Sequence, residues 1–445
     1  MNKTTNGIGE LRSEVRGRVL LPGDEGFDPA RRPWNSAIEQ PVAAVVEIAD
    51  ADDAANLVRY ARNSGLALTA QPNGHGATGD VEGLILVRTG RLDEMEVRPG
   101  SRIARVGAGV SWGRVQAAAS PHGLTGLPGS SPVVSVVGYT LGGGLSWFGR
   151  KHGWASESVR AFEIVDPDGK RARVSADEDP ELFWALRGGG GDFALVTAIE
   201  FDLHPAPVLY GGRMLWPAER APEVLAAYQE ITATAPGELT AWFDLLNFPG
   251  SAPMVAVDAT YLGDERQGRT LLRPLERIGG TISDGRGVLP VSDLGAITAE
   301  PTDPSPGLSR GELLTGLDEP AGKDLLARTL LDEPIDPLLS VQIRHLGGAL
   351  AAPSEGAAPA LTEPYSLYLF GVPSTPTAAA AIRARQGEIT RALAPLISGR
   401  KPYTYLSPGE SAAAAFAPAD LARLQGIKRR RDPAGVICAN YPVIS

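Results

Sequence analysis

Glycine is not spread evenly through this 445-residue chain: it crowds into 74–79, 107–113, 123–144 and 188–191, all in the first half. Glycine alone takes up left-handed backbone at no steric cost and lets another group come close to the main chain, so these clusters commit the first half to several tight backbone approaches. The most informative of them is Gln71-Pro72-Asn73-Gly74-His75-Gly76-Ala77-Thr78-Gly79, set between Ala67–Ala70 and Leu84–Val87, both of which read as strands. Three glycines around one imidazole leave the ring uncrowded and offer N–H groups to whatever sits against the loop, which suits an anionic group. A neutral imidazole is also a good nucleophile. Beside that functional reading stands a plainer one, a turn histidine bonded to nearby carbonyls.

At this length two or three domains are expected. With 43% hydrophobic and 21% charged residues the composition is that of a soluble globular enzyme. The balance of 42 basic against 52 acidic residues gives a net charge of −10, which argues against a nucleic-acid partner. The one basic run, Lys428-Arg429-Arg430-Arg431, reads as a solvated helix end. A single cysteine, Cys438, excludes internal disulfides and cysteine-based metal clusters. No stretch approaches the length of a membrane span and Met1–Gly23 lacks an apolar segment, so the expectation is a cytoplasmic protein without a membrane partner.

The apolar periodicity predicts a strand at 42–48, then a helix that Asp50 and its neighbours cap and that ends at Gly65. Strands at 66–70, 84–88 and 103–106 follow, with a helix from Trp112. Phe162–Val165 and Arg171–Val174 around Asp166-Pro167-Asp168-Gly169 predict a hairpin, and Asp179–Leu186 a short helix before a strand at 193–201. Beyond Pro205-Ala206-Pro207 the glycine clusters thin out. Helices near 218–234, 264–278 and 376–396 alternate with strands at 241–248, 254–262, 340–346 and 365–372, while 299–309 reads as a Pro- and Ser-rich loop. The tail from 400 has turn chemistry of its own and is expected to rejoin the first domain.

Three further glycine sites accompany the His75 loop. They are Gly107-Ala108-Gly109 at a strand end, the stretch from Pro128 through Gly144, read as extended and irregular, and Gly188–Gly191. A long irregular segment is costly inside a domain unless something occupies it, and its amides and two serine hydroxyls suit a diphosphate. Neither a Rossmann fingerprint nor a P-loop is present, since Trp112 stands where the third glycine would be. A rival lies in the same region. Gly109-Val110-Ser111-Trp112-Gly113 fits the nucleophile elbow of a serine hydrolase, with His122, His152, His204 and His345 downstream.

The ordered motifs Gly74-His75-Gly76, Gly107–Gly113, Pro128-Gly129-Ser130-Ser131-Pro132, Val137–Gly144, Arg150-Lys151-His152-Gly153 and Asp179–Gly191 resemble a known family. It is the berberine bridge enzyme-like branch of the vanillyl-alcohol-oxidase flavoproteins, in a bacterial form. The tail agrees, through Leu424, Ile427-Lys428, Asp432–Val436 and Asn440-Tyr441-Pro442-Val443, so the resemblance covers essentially the whole chain. It implies an α+β fold: a PCMH-type, two-part FAD-binding domain over 1–205 (core 38–205), and a substrate domain over 206–399 whose antiparallel sheet is covered by helices. The segment 400–445 would return to the first domain.

The resemblance implies FAD as cofactor, attached through His75 to the flavin's 8α-methyl. Ser130 and Ser131 stand where many relatives carry a second attaching cysteine, and Cys438 is remote in sequence, so attachment through His75 alone is expected. Carried over position by position, the cofactor site takes in Gln71, Pro72, Asn73, Gly74, Gly76 and Ala77 around His75. To these it adds Gly129, Ser130 and Ser131, then Val137, Gly138, Tyr139, Gly142 and Gly143, and finally Val196, Asn440 and Tyr441. Gln71 replaces a frequent arginine, and Ala194 and Leu195 are bulkier than the glycine expected nearby.

Substrate-side candidates are Trp242, Asp244, Tyr261, Gln342, Arg344, His345, Tyr365 and Tyr368. Tyr405, Tyr368 and Arg344 are the expected catalytic residues. A tyrosine needs a neighbouring positive charge to act as a base near neutral pH, and Arg344 or Lys401 is expected to supply it. The implied reaction passes hydride from a small organic alcohol or related secondary metabolite to the flavin, with O2 giving H2O2, in a monomer or homodimer. A dehydrogenase with another acceptor, and a cyclase or scaffold without net redox turnover, remain open.

Overall fold

A computed structural model of the chain describes residues 8, 10–317 and 320–444. The helix expected after the first strand is Ala51–Ser64. The Asp50 side chain accepts from the Asp53 N–H at its start, and Gly65 ends it at φ 66°. It is the crossover from Ala44–Glu47 to Leu68–Ala70, two strands that flank Ile85–Arg88 and each pair parallel with it. Arg18–Leu20 closes this four-stranded sheet on its antiparallel edge. A five-stranded antiparallel sheet lies next to it in sequence. Its order is Met95–Arg98, Ile103–Gly107, Leu195–Asp202, Val159–Val165, Arg171–Ser175.

The second half builds an eight-stranded sheet. From its edge it runs Ser283–Asp284, Leu209–Pro217, Met254–Tyr261, Leu239–Leu246, Ser340–His345, Tyr365–Gly371 and Leu308–Leu314, with Gly287–Leu289 also on Leu209–Pro217. Its pairings are antiparallel throughout. Helices Ala221–Thr232, Pro320–Leu331 and Pro376–Ala392 cover one face: Val224, Tyr228, Leu326 and Ile382 share one apolar cluster with Phe243, Val257, Ile343 and Leu367. Side chains alternate across a strand, so the residues between these point the other way. Leu239–Leu246 is nevertheless buried along its whole length, which means that its second face is covered too.

The tail runs back to the first half. Leu68 donates to the Val436 carbonyl and the Cys438 N–H to that of Leu68, both at 2.8 Å. The buried Asp192 carboxylate accepts from the N–H groups of Ala439 and Val443 at 3.1 and 3.0 Å. The basic run ends a helix as expected and is solvated in part, Arg429 and Arg430 being exposed, but it is also engaged. Lys428 is buried against Asp192 and Asp432, Arg430 pairs with Glu181 and Arg431 with Asp179.

The α+β expectation holds, with three local differences. Val136–Leu141 is a helix within the stretch read as irregular. Its Val-Val-Gly-Tyr-Thr sequence has poor intrinsic propensity, and the Ser135 hydroxyl accepting from the Gly138 N–H secures its start. Leu209–Pro217 is a strand despite Gly211 and Gly212, where a Cβ would lie 2.3 Å from the carbonyls of Ala259 and Gly285. Leu308–Leu314 is a strand at the edge of the segment read as a loop.

Candidate functional site

The face of the large sheet that its helices leave uncovered carries Trp242, Asp244, Gln342, Arg344, Tyr368 and Phe370. Facing it are the His75 loop, Gly129–Ser131, the Val136–Leu141 helix and the tail at Cys438–Tyr441. Between them lies a cavity of about 640 Å³, closed at the side by Thr298–Pro301, Ser305–Gly307 and Tyr403–Pro408. That volume falls within the range of small-molecule and cofactor sites, roughly 300–1,000 Å³.

His75 is half-buried, but both its ring nitrogens are shut off from solvent and lack a hydrogen-bond partner. Burial depresses its pKa to about 4, so the imidazole is neutral across the ordinary pH range. Trp34 stacks on it with ring centroids 4.1 Å apart. The loop is tight for a reason that glycine meets: Gly74 sits at φ 78°, and a Cβ there would come 2.7 Å from Pro33. Further buried groups without partners surround the same space, namely Gln71 Oε1, Ser131 Oγ and Tyr139 Oη. A buried polar atom left unpaired in the protein costs roughly 1–3 kcal/mol, and a polar cofactor against these walls removes that cost. Gln71 Nε2 is held by Asn440 Oδ1 at 3.0 Å, which links the loop to the tail.

On the opposite wall Arg344 is sandwiched between Trp242 and Tyr368, its guanidinium carbon 4.1 and 4.6 Å from the two ring centroids. Its Nε and Nη2 donate to Gln342 Oε1 at 2.9 and 2.6 Å, and Nη1 to Tyr405 Oη at 3.4 Å. Ser366 Oγ lies 3.3 Å from the same phenol oxygen. Burial pushes the Tyr368 phenol above its ordinary range. Trp242 in turn stacks on Trp147, centroids 3.7 Å apart, which fixes the aromatic wall.

Three acidic groups gather at this wall. Arg213 gives both arms of its fork to Asp258 at 2.7 Å and stands 3.7 Å from Asp244. Burial raises both carboxyls, and Asp244 reaches about 8. Glu300, from the loop, is the third.

All the candidate cofactor residues line the cavity except Gly143, which packs behind it, where a Cβ would meet the Trp154 ring at 3.1 Å. Tyr405, Tyr368 and Arg344 all line it. Among the substrate-side candidates Tyr261, His345 and Tyr365 do not. Tyr261 and Tyr365 belong to the helix-covered core, and His345 Nε2 lies 2.9 Å from Arg150 Nη1. Lys401 is engaged elsewhere, by Glu312 and Glu410 at 3.3 and 2.5 Å, so Arg344 alone of the two expected cations reaches Tyr405.

Trp34 and Glu300, which also line the cavity, carry no local signal in the sequence. Cys438, remote in sequence, lines the cavity, with burial pushing its thiol up and its Sγ 3.7 Å from the Gly435 carbonyl oxygen. For the hydrolase rival, no described hydrogen bond joins Ser111 to a histidine. His75 stacks on Trp34, His152 and His204 lie tilted against each other, and His345 contacts Arg150.

Comparisons with known proteins point the same way. Residues 42–175 match the family described as FAD binding domain. The chain is 30% identical over 303 residues to (R)-6-hydroxynicotine oxidase of Paenarthrobacter nicotinovorans, taking in 64% of each protein. It thus spans less than two thirds of that relative's length. Its fold is similar to that of BBE-like 1 of Physcomitrella patens, with a TM-score of 0.85, 17% identity and 98% of each chain covered. It is also similar to 6-hydroxy-D-nicotine oxidase of Arthrobacter nicotinovorans, with a TM-score of 0.84, 24% identity and 96% and 98% coverage. At these identities the structural likeness bears on the fold alone. Among the described residues no helix is long and apolar enough to cross a membrane.

Proposed function

We propose that this chain, which carries an FAD-binding domain and has the fold of the berberine bridge enzyme-like, PCMH-type flavoproteins, is an FAD-linked oxidoreductase acting on a small organic substrate in the cavity described above. FAD, when bound, would supply the hydride acceptor, with O2 as the final oxidant giving H2O2. The residues of this chain bind, orient and move protons. His75, neutral and with both nitrogens free, is the point of covalent attachment in this reading, and Ser130 and Ser131 offer no second one. Gln71 and Asn440 hold the loop against the tail, while Gly138 and Tyr139 present backbone and phenol to the cofactor.

Tyr405 is the proposed proton acceptor. It lines the cavity, and Arg344 Nη1 and Ser366 Oγ at its phenol oxygen fix it where a substrate hydroxyl gives up its proton. Tyr368 and Trp242 hold Arg344 in place from either side. The proposal keeps the division into 1–205, 206–399 and 400–445. In its support, the helix-covered side of the large sheet has an apolar cluster of its own, within 210–393.

The observation that carries the reading is the pairing of an unpartnered, neutral His75 with the Arg344–Tyr405 contact across one cavity. The test is an absorption spectrum of purified protein, repeated on pellet and supernatant after acid precipitation, followed by oxygen-consumption and peroxide assays on hydroxylated aromatic compounds. Flavin in the pellet and peroxide in the assay are expected. Flavin in the supernatant would remove His75 as attachment point, and substrate reduction of the flavin without peroxide would make the protein a dehydrogenase. A colourless protein that cannot be loaded with FAD would overturn the reading.

A further inference from the structure

Asp244 is buried, lines the cavity, and is held on one side only. Gln342 Nε2 donates to its Oδ2 at 3.0 Å, whereas Oδ1 has no partner in the protein. The direction of that one hydrogen bond is fixed from outside. Arginine can only donate, so the Gln342 atom that receives both Nε and Nη2 of Arg344 must be the amide oxygen. The amide nitrogen therefore faces Asp244, and Oδ2 must accept. If Asp244 carries a proton, the proton has to sit on Oδ1.

Burial favours that proton first, and the neighbouring Asp258 carboxyl adds to it, while Arg213 and Arg344 oppose it. Every element packed against Asp244 contributes. Arg213, on Leu209–Pro217, gives its fork to Asp258 on Met254–Tyr261 and reaches Asp244 only at 3.7 Å. Arg344, on Ser340–His345, is engaged by Gln342 and Tyr405. Glu300, from the loop, adds negative charge to the same cavity. Tyr368 and Tyr405 add phenols. Two buried carboxyls thus stand at one arginine whose fork goes to Asp258, and like charges in a desolvated place do not both ionise. The pair titrates together, and the carboxyl without the fork is the one that keeps the proton.

We infer that Asp244 is a neutral carboxylic acid whose Oδ1–H donates a hydrogen bond to an oxygen acceptor of the substrate, a carbonyl or carboxylate borne on an apolar body. The apolar body rests on Trp242, Leu246 and Phe370, which line the same wall. The protonation state stands on the local geometry, while the substrate's place rests on the oxidoreductase reading of the cavity. The assignment makes Asp244 a binding residue for the acceptor, distinct from the base at Tyr405.

Two measurements test it. The first is the infrared spectrum of wild-type holoprotein and of Asp244→Asn between pH 6 and 10. A protonated-carboxyl band is expected in the wild type at neutral pH, absent from Asp244→Asn and fading as pH rises through about 8. A neutral-pH spectrum in which Asp244→Asn removes no such band would overturn the inference. This measurement needs no activity, so it stands apart from the oxidoreductase reading, and the wild-type titration needs no variant.

The second is binding of acetophenone, an apolar ring with one carbonyl acceptor, followed by tryptophan fluorescence. Wild-type Kd should rise above pH 8, and Asp244→Asn, which keeps an N–H donor, should lose that rise. Asp244→Leu should weaken binding by roughly tenfold to hundredfold at every pH. An alkaline rise that survives in Asp244→Asn, or no binding by the wild type, would overturn the substrate assignment.

Discussion

The indole of Trp34 lies flat on the imidazole of His75, centroids 4.1 Å apart and planes within 15°. The contact joins segments that the sequence does not connect. The Trp34 backbone N–H donates to the Asn73 carbonyl at 2.7 Å, and the Ser305 backbone N–H to that of Trp34 at 3.0 Å. One face of the imidazole is thereby covered, and the loop is clamped between the N-terminal segment and the wall at 305–307.

Removing that cover should loosen the ring. Trp34→Ala is expected to lower the fraction of flavin that stays with the acid-precipitated pellet several-fold, and Trp34→Phe to restore most of it, because an aromatic face is retained. Pellet absorbance of the three proteins, loaded with FAD under identical conditions, reads the effect. Equal values would mean that Trp34 serves the fold and not the ring.

The pH dependence of attachment follows from burial. The folded-state pKa of His75, about 4, lies below the unfolded value near 6.5, so the native chain refuses a proton that the unfolded chain accepts. The associated stability is present above about 6.5 and is lost as pH falls towards 4, and through most of that window the imidazole stays neutral. Incorporation of FAD into apoprotein should therefore keep its rate from pH 8 down to 5. A rate that halves near 6.5 would contradict the buried, neutral ring. In Trp34→Ala the decline should begin at higher pH.

Gly311 makes room for the proposed base. A Cβ at this position would lie 2.4 Å from the Tyr405 ring, so Gly311→Ala must displace that ring from Arg344. The expected result is a fall in kcat of about 10²-fold or more with little change in acid-stable flavin. Turnover and pellet absorbance measured on the same preparation separate this from misfolding.

Lys428 closes the tail onto the first half. Its Nζ donates to the Asp192 carbonyl at 2.7 Å and to Asp432 Oδ2 at 2.8 Å, and it also reaches the Ile437 carbonyl. Lys428→Met leaves two buried carboxylates without their cation, which costs about 3–5 kcal/mol. Urea denaturation should show this as an earlier midpoint. The tail segment at 436–438, bridged to Leu68, should also exchange its amide protons faster than the wild type does. A variant as stable as the parent would make the buried cluster energetically neutral.

Much of the cofactor side was legible in the chain. The Asp50 cap, the Gly65 stop and the glycine-bounded loop at His75 are local signals, carried by residues a few positions apart, and each describes its own backbone. The resemblance rested on such segments, which is why nearly every position it assigned to the cofactor lines the cavity, Gly143 excepted.

The substrate wall was legible only in part, for a physical reason. Leu239–Leu246 is buried on both faces, so its polarity pattern does not separate the two sides; Trp242 and Asp244 lie on the cavity side as the resemblance implied, with Phe243 on the helix side. Tyr261 and Tyr365 were misplaced by that same ambiguity. Glycines hid the Leu209–Pro217 and Leu308–Leu314 strands, because what calls for Gly211 and Gly311 is the close approach of Ala259 and Tyr405 from distant segments.

The sequence by itself determined the local turns, caps and glycine loop that shape the cofactor side, since each depends on its own few dihedrals. Tertiary structure alone decided that Trp34 covers His75, that Glu300 and Cys438 border the same cavity, and that Asp244 meets Gln342. Those pairs are set by strand register and chain crossing over long separations, which no short window of residues encodes.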